Sequence, residues 1–248
     1  MLRVPPLFRF ARLLPHQTVL RALLPMGLSV VLSVAFTTVP VFGARPNYVH
    51  IALENFNPEV SPAWAYTLTT EREGKQLVER FNPAKSPTEQ WSLLRTEGHA
   101  PSSEETEKYF KYKASQAPGA MQATFHKNDI EPGTIQLIHE DSTHAEYACA
   151  FREQSANGDK MLGHLQLLLS INKQSAYVES YRLTLQSPYS PVLSVKMNEL
   201  VVTMNFSAPE KAQPSLPARS SSHFKGRIFL VPFEENISYQ YSDFAPAS

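Results

Sequence analysis

From about residue 60 onward, apolar and polar side chains alternate with a period of two, the spacing of strands that lay one face on a core. In "WAYTLTT" Trp64, Tyr66 and Leu68 share a face. After the turn "EREG", "KQLVERF" returns with Leu77 and Phe81 together, and "QWSLLR" sets Trp91 beside Leu93. Further strands follow in "TIQLIHED" and "THAEYACAFRE". Asn157-Gly158 in "SANGDK" is the residue pair that tight hairpins favour. "MLGHLQLLLSIN" aligns Leu165, Leu167, Leu169 and Ile171. After "NKQS", "AYVESYRLTLQ" aligns Tyr177, Tyr181, Leu183 and Leu185. In "VLSVKMNELVVTMNF" the phase slips: Leu193, Val195 and Met197 agree, then Leu200, Val202, Met204 and Phe206. A one-residue shift near Asn198-Glu199 predicts a β-bulge, and bulges bend sheets. "SAPEKAQPSLPARSSS" reads as a Pro/Ser-rich loop. "HFKGRIFLVPF" and "NISYQYSDF" form the last hairpin, with Ile237, Tyr239 and Tyr241 aligned.

One segment breaks this rhythm. "APSSEETEKYFKYKASQ" opens with Pro101 and a capping box, Ser102 as N-cap and Glu105 three residues on. Glu104, Glu105 and Glu107 precede Lys108, Lys111 and Lys113, an order that complements the helix dipole. Tyr109, Phe110 and Tyr112 give the helix an aromatic side. The stretch "QAPGAMQATFHKNDIEPG" reads as a loop. Strands joined by hairpin-length turns predict an antiparallel meander, closed as one strongly bent sheet with a helix.

Composition changes this picture at the N-terminus. Of the chain's 248 residues, 1–44 hold Arg3, Arg9, Arg12 and Arg21 and no acid, followed by the apolar run Ala22 to Phe42. "VFGARP" then offers small residues for cleavage after Gly43 or Ala44. This reads as a secretory signal peptide, with an uncleaved membrane anchor at 22–42 as the alternative. Residues 45–248 then form one exported domain, periplasmic or tethered to the inner membrane. That domain carries 19 Lys+Arg against 23 Asp+Glu, a formal charge of −4. It has no basic patch interleaved with aromatics, so nucleic acid is not an expected partner. The single cysteine, Cys149, cannot form an internal disulfide and alternates in phase with Ala145, Tyr147 and Phe151, so a buried, inert thiol is expected.

The search for chemistry returns little. "HEDSTH" spaces His139 and His144 five apart in a turn, unlike the four-residue helical spacing of a zinc protease, and reads as a polar hairpin tip. No nucleophile elbow, phosphate loop or dinucleotide fingerprint occurs. No cofactor, metal or catalytic residue is assigned, and the chain is read as a non-enzyme. In the stretch Glu79 to Glu105 each marked residue has a folding role: Phe81 ends a strand, Asn82-Pro83 starts a turn, Gly98 permits another, and Ser102 with Glu105 caps the helix. Its acids are expected to be capping and solvent-facing groups. Glu179, among the aromatics of its strand, is the one charge expected to point inward. The repeated leucine and aromatic faces admit two readings: they fill a solid core, or they line a concave cleft for an acyl chain. In the second reading Trp64, Tyr66, Leu165, Leu167, Leu169, Tyr181 and Leu183 form the wall.

Two motifs carry a family resemblance. The run "F-N-P … W-S-L-L-x-x-x-G-x-x-P-S-x-x-E" (Phe81 to Glu105) before a lysine-rich helix, and the closing Tyr241-Ser242-Asp243-Phe244, resemble those of a family of exported bacterial proteins of unassigned function. Gln90 stands where a basic residue is frequent in that family and Asn82 where aspartate is. The family is in turn similar to the periplasmic lipoprotein carriers and outer-membrane lipoprotein receptors (the LolA/LolB-like fold). The resemblance implies a mainly β, α+β architecture: an unclosed antiparallel half-barrel wrapped on one or two helices, with a hydrophobic cavity for a lipid, acyl chain or lipoprotein. An envelope regulatory module that binds another protein through a solidly packed sheet is the alternative expectation.

Overall fold

The computed structural model describes residues 45–58, 63–115, 125–152, 161–210 and 213–247. Residues 1–44, read as a signal, and Asn157-Gly158, read as a hairpin turn, lie outside the described residues. Among the described residues two α-helices, α1 (Asn47–Asn55) and α2 (Ser103–Ser115), accompany eleven strands: β1 (Trp64–Arg72), β2 (Lys75–Phe81), β3 (Trp91–Thr96), β4 (Gln136–Glu140), β5 (His144–Cys149), β6 (Leu165–Asn172), β7 (Tyr177–Leu185), β8 (Tyr189–Val192), β9 (Val195–Phe206), β10 (Pro217–Ile228) and β11 (Val231–Pro246). Among the described residues no helix is long and apolar enough to cross a membrane.

The strands form one open antiparallel sheet in the order β3-β2-β1-β11-β10-β9-β7-β6-β5-β4, with β8 also pairing to β9. Two meanders, β1–β3 and β4–β11, are joined where the last strand pairs with the first, Trp64 opposite Pro246 through Arg72 opposite Ile237. The free edges are β3 and β4, and the chain between them includes α2. The sheet is half-barrel-like and not closed. Strands β7 and β8 lie along the same side of β9, separated by a corner that contains Pro188. Proline cannot donate to a ladder, which favours such a break.

Turn chemistry shapes the hairpins. Glu73 and Gly74 link β1 to β2 with φ of 51° and 75°, and Glu97-Gly98 turns the chain after β3 with φ of 48° and 83°. Positive φ at both central residues is the twist-compatible hairpin geometry, and glycine adopts it freely. Asn82 caps the next turn by accepting from the Ala84 N–H at 3.0 Å. At α2 the capping box is present: the Ser102 N–H donates to Glu105 at 2.8 Å, and the Glu105 N–H donates to the Ser102 hydroxyl at 3.3 Å.

The phase slip in β9 is a bulge. Glu199 pairs with Lys225 and Met197 with Gly226, so Asn198 is the extra residue, and Leu200 and Met197 are both buried. A second bulge, in β7, overturns an expectation. Ser180 pairs with Ser170 and Val178 with Ile171, which leaves Glu179 as the extra residue. The phase therefore reverses below Tyr181: Val178 enters the core, while Tyr177 and Glu179 are only half-buried. The last hairpin is also placed differently. Its turn is Phe229-Leu230, inside the run read as one strand, and β10 begins at Pro217, inside the run read as loop. Leu193, expected in phase with Val195, is instead fully exposed in the β8–β9 turn.

One face of the sheet is the core face. A single cross-strand row runs from Leu77 through Thr70, Tyr239, Ser220, Met204, Tyr181, Leu169 and Tyr147 to Leu137. Helix α1 lies on the β5–β10 part of this face. Its Val49 and Ala52, with Phe56 just beyond, join Leu167, Leu169, Ile171, Tyr181 and Leu183 in one buried cluster. Phe56 meets Tyr181 and Phe206 edge-on, with ring centroids 6.2 and 5.7 Å apart. Helix α2 lies over the β1–β3 part, where Tyr66 packs with Phe81, Trp91, Tyr241 and Phe244 at 5.2 to 6.0 Å.

Candidate functional site

The apolar face is the candidate site, and its two parts differ in how they are covered. Five of the seven residues expected on a cleft wall, Leu165, Leu167, Leu169, Tyr181 and Leu183, come together on β6 and β7 beneath α1, each at most 5% exposed. The other two sit elsewhere. Tyr66 is buried in the aromatic group beneath α2, and Trp64 is half-buried at the start of β1.

Helix α1 covers the first part together with Phe125, whose ring packs on Tyr181 at 5.2 Å. The nine residues of α1 have no side-chain bond at the N-cap, no acid in the first turn and no base in the last. A helix this short has little intrinsic stability, so its place depends on tertiary contacts. Tyr48 supplies two: its hydroxyl donates to Glu140 at 3.1 Å and lies 3.0 Å from the Tyr147 hydroxyl. Burial, then these two neighbours, push the Tyr48 phenol well above its ordinary pKa, so it stays a neutral donor. Lys127 donates to the Glu54 carbonyl at 2.9 Å, and Arg45 to the Pro132 carbonyl. The sequence carries a signal for α1, since Tyr48, Val49, Ala52 and Leu53 recur at helical spacing. Strand periodicity after residue 60 draws attention away from it.

The second part holds a buried charge that corrects the expectation for the Glu79–Glu105 acids. Glu79 is 1% exposed, flanked across the sheet by Leu68 and Leu93. Lys113 from the last turn of α2 reaches it at 2.6 Å and lies 3.8 Å from the centre of the Trp91 ring. Burial pulls the Lys113 pKa down, and Glu79 opposes this by favouring the ammonium. The Tyr109 hydroxyl is pushed far up by burial and then by Glu79. Glu79 shares a strand phase with Leu77 and Phe81, so this inward charge is visible in "KQLVERF".

Polar groups elsewhere have structural explanations. Asp141 closes the β4–β5 turn by accepting from the Thr143 and His144 N–H groups, both at 2.7 Å, and these bonds lower its pKa to about 2. His144 turns its other side to Glu179 at 3.0 Å, and Asn172 donates to the same carboxylate at 3.0 Å. The Cys149 thiol is buried, and desolvation pushes its pKa up to about 12. Among the described residues no three His, Cys, Asp or Glu side chains gather to hold a metal ion.

Two of the surface depressions lie away from this wall, and none of its seven residues lines either. The larger, about 1010 Å³, is a polar saddle lined by the β1–β2 turn, Glu97, Gly98, His223 and Asn236. The smaller, about 370 Å³, opens at the C-terminal end of α1, over Phe56 and against His126, Lys127 and Asn128. No protein-family model matches the chain, and neither a curated protein nor a solved structure shows significant similarity to it.

Proposed function

We propose that this chain is a non-enzymatic binding protein of the cell envelope, LolA/LolB-like in architecture, that holds a lipid, acyl chain or lipoprotein on the apolar face of its open sheet. One observation supports this above the others. The buried cluster on one face of the unclosed sheet, drawn from β5, β6, β7, β9 and β10, lies beneath a nine-residue helix without a cap of its own. An acyl chain would take the place of Val49, Ala52 and Phe56 against Leu167, Leu169 and Leu183. The depression over Phe56 is the natural entry. Affinity would come from apolar burial, about 25 cal/mol per Å² before ordering costs. Residues 1–44 would direct the domain to the periplasm or tether it to the inner membrane.

A second reading has its own support. Leu167, Leu183 and Ile171 are completely buried against α1, as in a solid core. On that reading the sheet is a scaffold and the surface binds an envelope protein. The deciding experiment is organic-solvent extraction of the gently purified chain, with native mass spectrometry before and after adding a fatty acid or lipopeptide. A stoichiometric lipid mass, with loss of the Tyr48 contacts to β4 and β5 on uptake, is the expected result. A clean protein mass with no uptake would sink the lipid reading and favour the packed module.

A further inference from the structure

One end of the sheet carries an apolar tip that the lipid-holding face does not use. The β10–β11 hairpin turns on Phe229 and Leu230, 74% and 90% exposed, and Val231 follows at 66%. Fully exposed Leu193, in the β8–β9 turn, belongs to the same end, because the Phe229 N–H donates to the Ser194 carbonyl at 2.6 Å. Two-residue hairpin turns ordinarily take glycine, asparagine or aspartate. Here Phe229 holds a φ of +54°, a conformation that disfavours bulky side chains. An exposed phenylalanine in a strained turn gains nothing for the fold.

The neck of the tip is stiff. A Cβ on Gly226 would lie 2.3 Å from the Lys196 carbonyl and 2.9 Å from the Phe233 ring, so strand and ring close tightly over this glycine. The charges around the tip have one sign. Lys196 and Arg227 pair across β9 and β10, and neither makes an ion pair among the described residues. The nearest acids along these strands, Glu199 and Glu234, lie on the far side of Gly226, where His223 approaches both and Lys225 approaches Glu199 at 3.7 Å.

Exposed apolar side chains on a rigid turn, flanked by unpaired cations, match the interfacial zone of an anionic bilayer. We propose that the Leu193 and Phe229–Val231 tip inserts into the surface of a membrane containing anionic lipid, with Lys196 and Arg227 at the headgroups. This docking requires no ligand on the core face, so it stands or falls apart from the lipid-holding reading.

The test uses the full chain with a local reporter, because the apolar N-terminal run could bind vesicles by itself. An environment-sensitive fluorophore is attached at Leu230→Cys, with Cys149 buried and unlabelled. Lys85→Cys, in the exposed β2–β3 connection, is the control. Vesicles are phosphatidylcholine with or without phosphatidylglycerol, doped with a lipid-borne quencher. The expected result is a blue shift and lipid quenching at position 230 but not 85, dependent on the anionic lipid. Lys196→Gln with Arg227→Gln should weaken that signal on the order of tenfold. Phe229→Asn, which suits the turn, should reduce quenching while leaving Tm unchanged or raised. A label at 230 that stays open to aqueous iodide on vesicle-bound chain would overturn the proposal. So would a concentration-dependent blue shift without vesicles, which would assign the tip to a second copy of the chain. A lowered Tm in Phe229→Asn would show that Phe229 serves the fold instead.

Discussion

Lys113 and Glu79 show how much one buried pair can decide. The carboxylate is enclosed between Leu68 and Leu93, and the ammonium is its charged partner at 2.6 Å. Removing one partner of such a pair strands the other charge, whereas replacing both can be nearly neutral. Lys113→Met should therefore lower stability by about 3 kcal/mol, and adding Glu79→Leu should recover most of the loss. Urea unfolding of the two single variants and the double variant measures this. A loss below about 1 kcal/mol in Lys113→Met would mean that water reaches Glu79. At this scale Glu79 was read with the solvent-facing acids although the phase of Leu77 and Phe81 turns it inward, and its partner was not legible. Thirty-four residues and an intervening strand separate Lys113 from Glu79. Glu179 failed in the opposite direction, because a bulge at that residue reversed the phase on which the reading relied.

Elements whose signals are local were readable as such. The capping box at Ser102, the Glu73-Gly74 turn and the Asn198 bulge each follow from a few adjacent residues. The Phe229-Leu230 turn was hidden because its residues are those of a strand, and a hairpin there is imposed by pairing on both sides. Gly226 belongs with it. Gly226→Ala would drive a methyl group into the Lys196 carbonyl, which is backbone and cannot move aside cheaply. A loss of about 2 kcal/mol or more is expected. The urea midpoint checks it, and an unchanged midpoint would show that the β9–β10 bulge can relax.

At the scale of the molecule, β11 lies between β1 and β10 and joins the N-terminal and C-terminal meanders. Contacts between the ends of a long chain form late and at high entropic cost. A chain ended after Leu230 should lose the β1–β3 and α2 region as a unit, giving no cooperative unfolding transition there. Hydrogen exchange would report the loss directly, since protection retained in β1 and β2 would mean that this meander is independently stable. By itself the sequence determined the antiparallel class, most of the strands, the capped helix, and the inward turn of most leucines and aromatics, Leu193 and Tyr177 apart. Those are consequences of side-chain period and local turn chemistry. Only the tertiary structure decided that α1 covers the leucine face, that Lys113 neutralises Glu79, and that the sheet stays open between β3 and β4. Each of these depends on segments far apart in the chain meeting in space, and no local period encodes such a meeting.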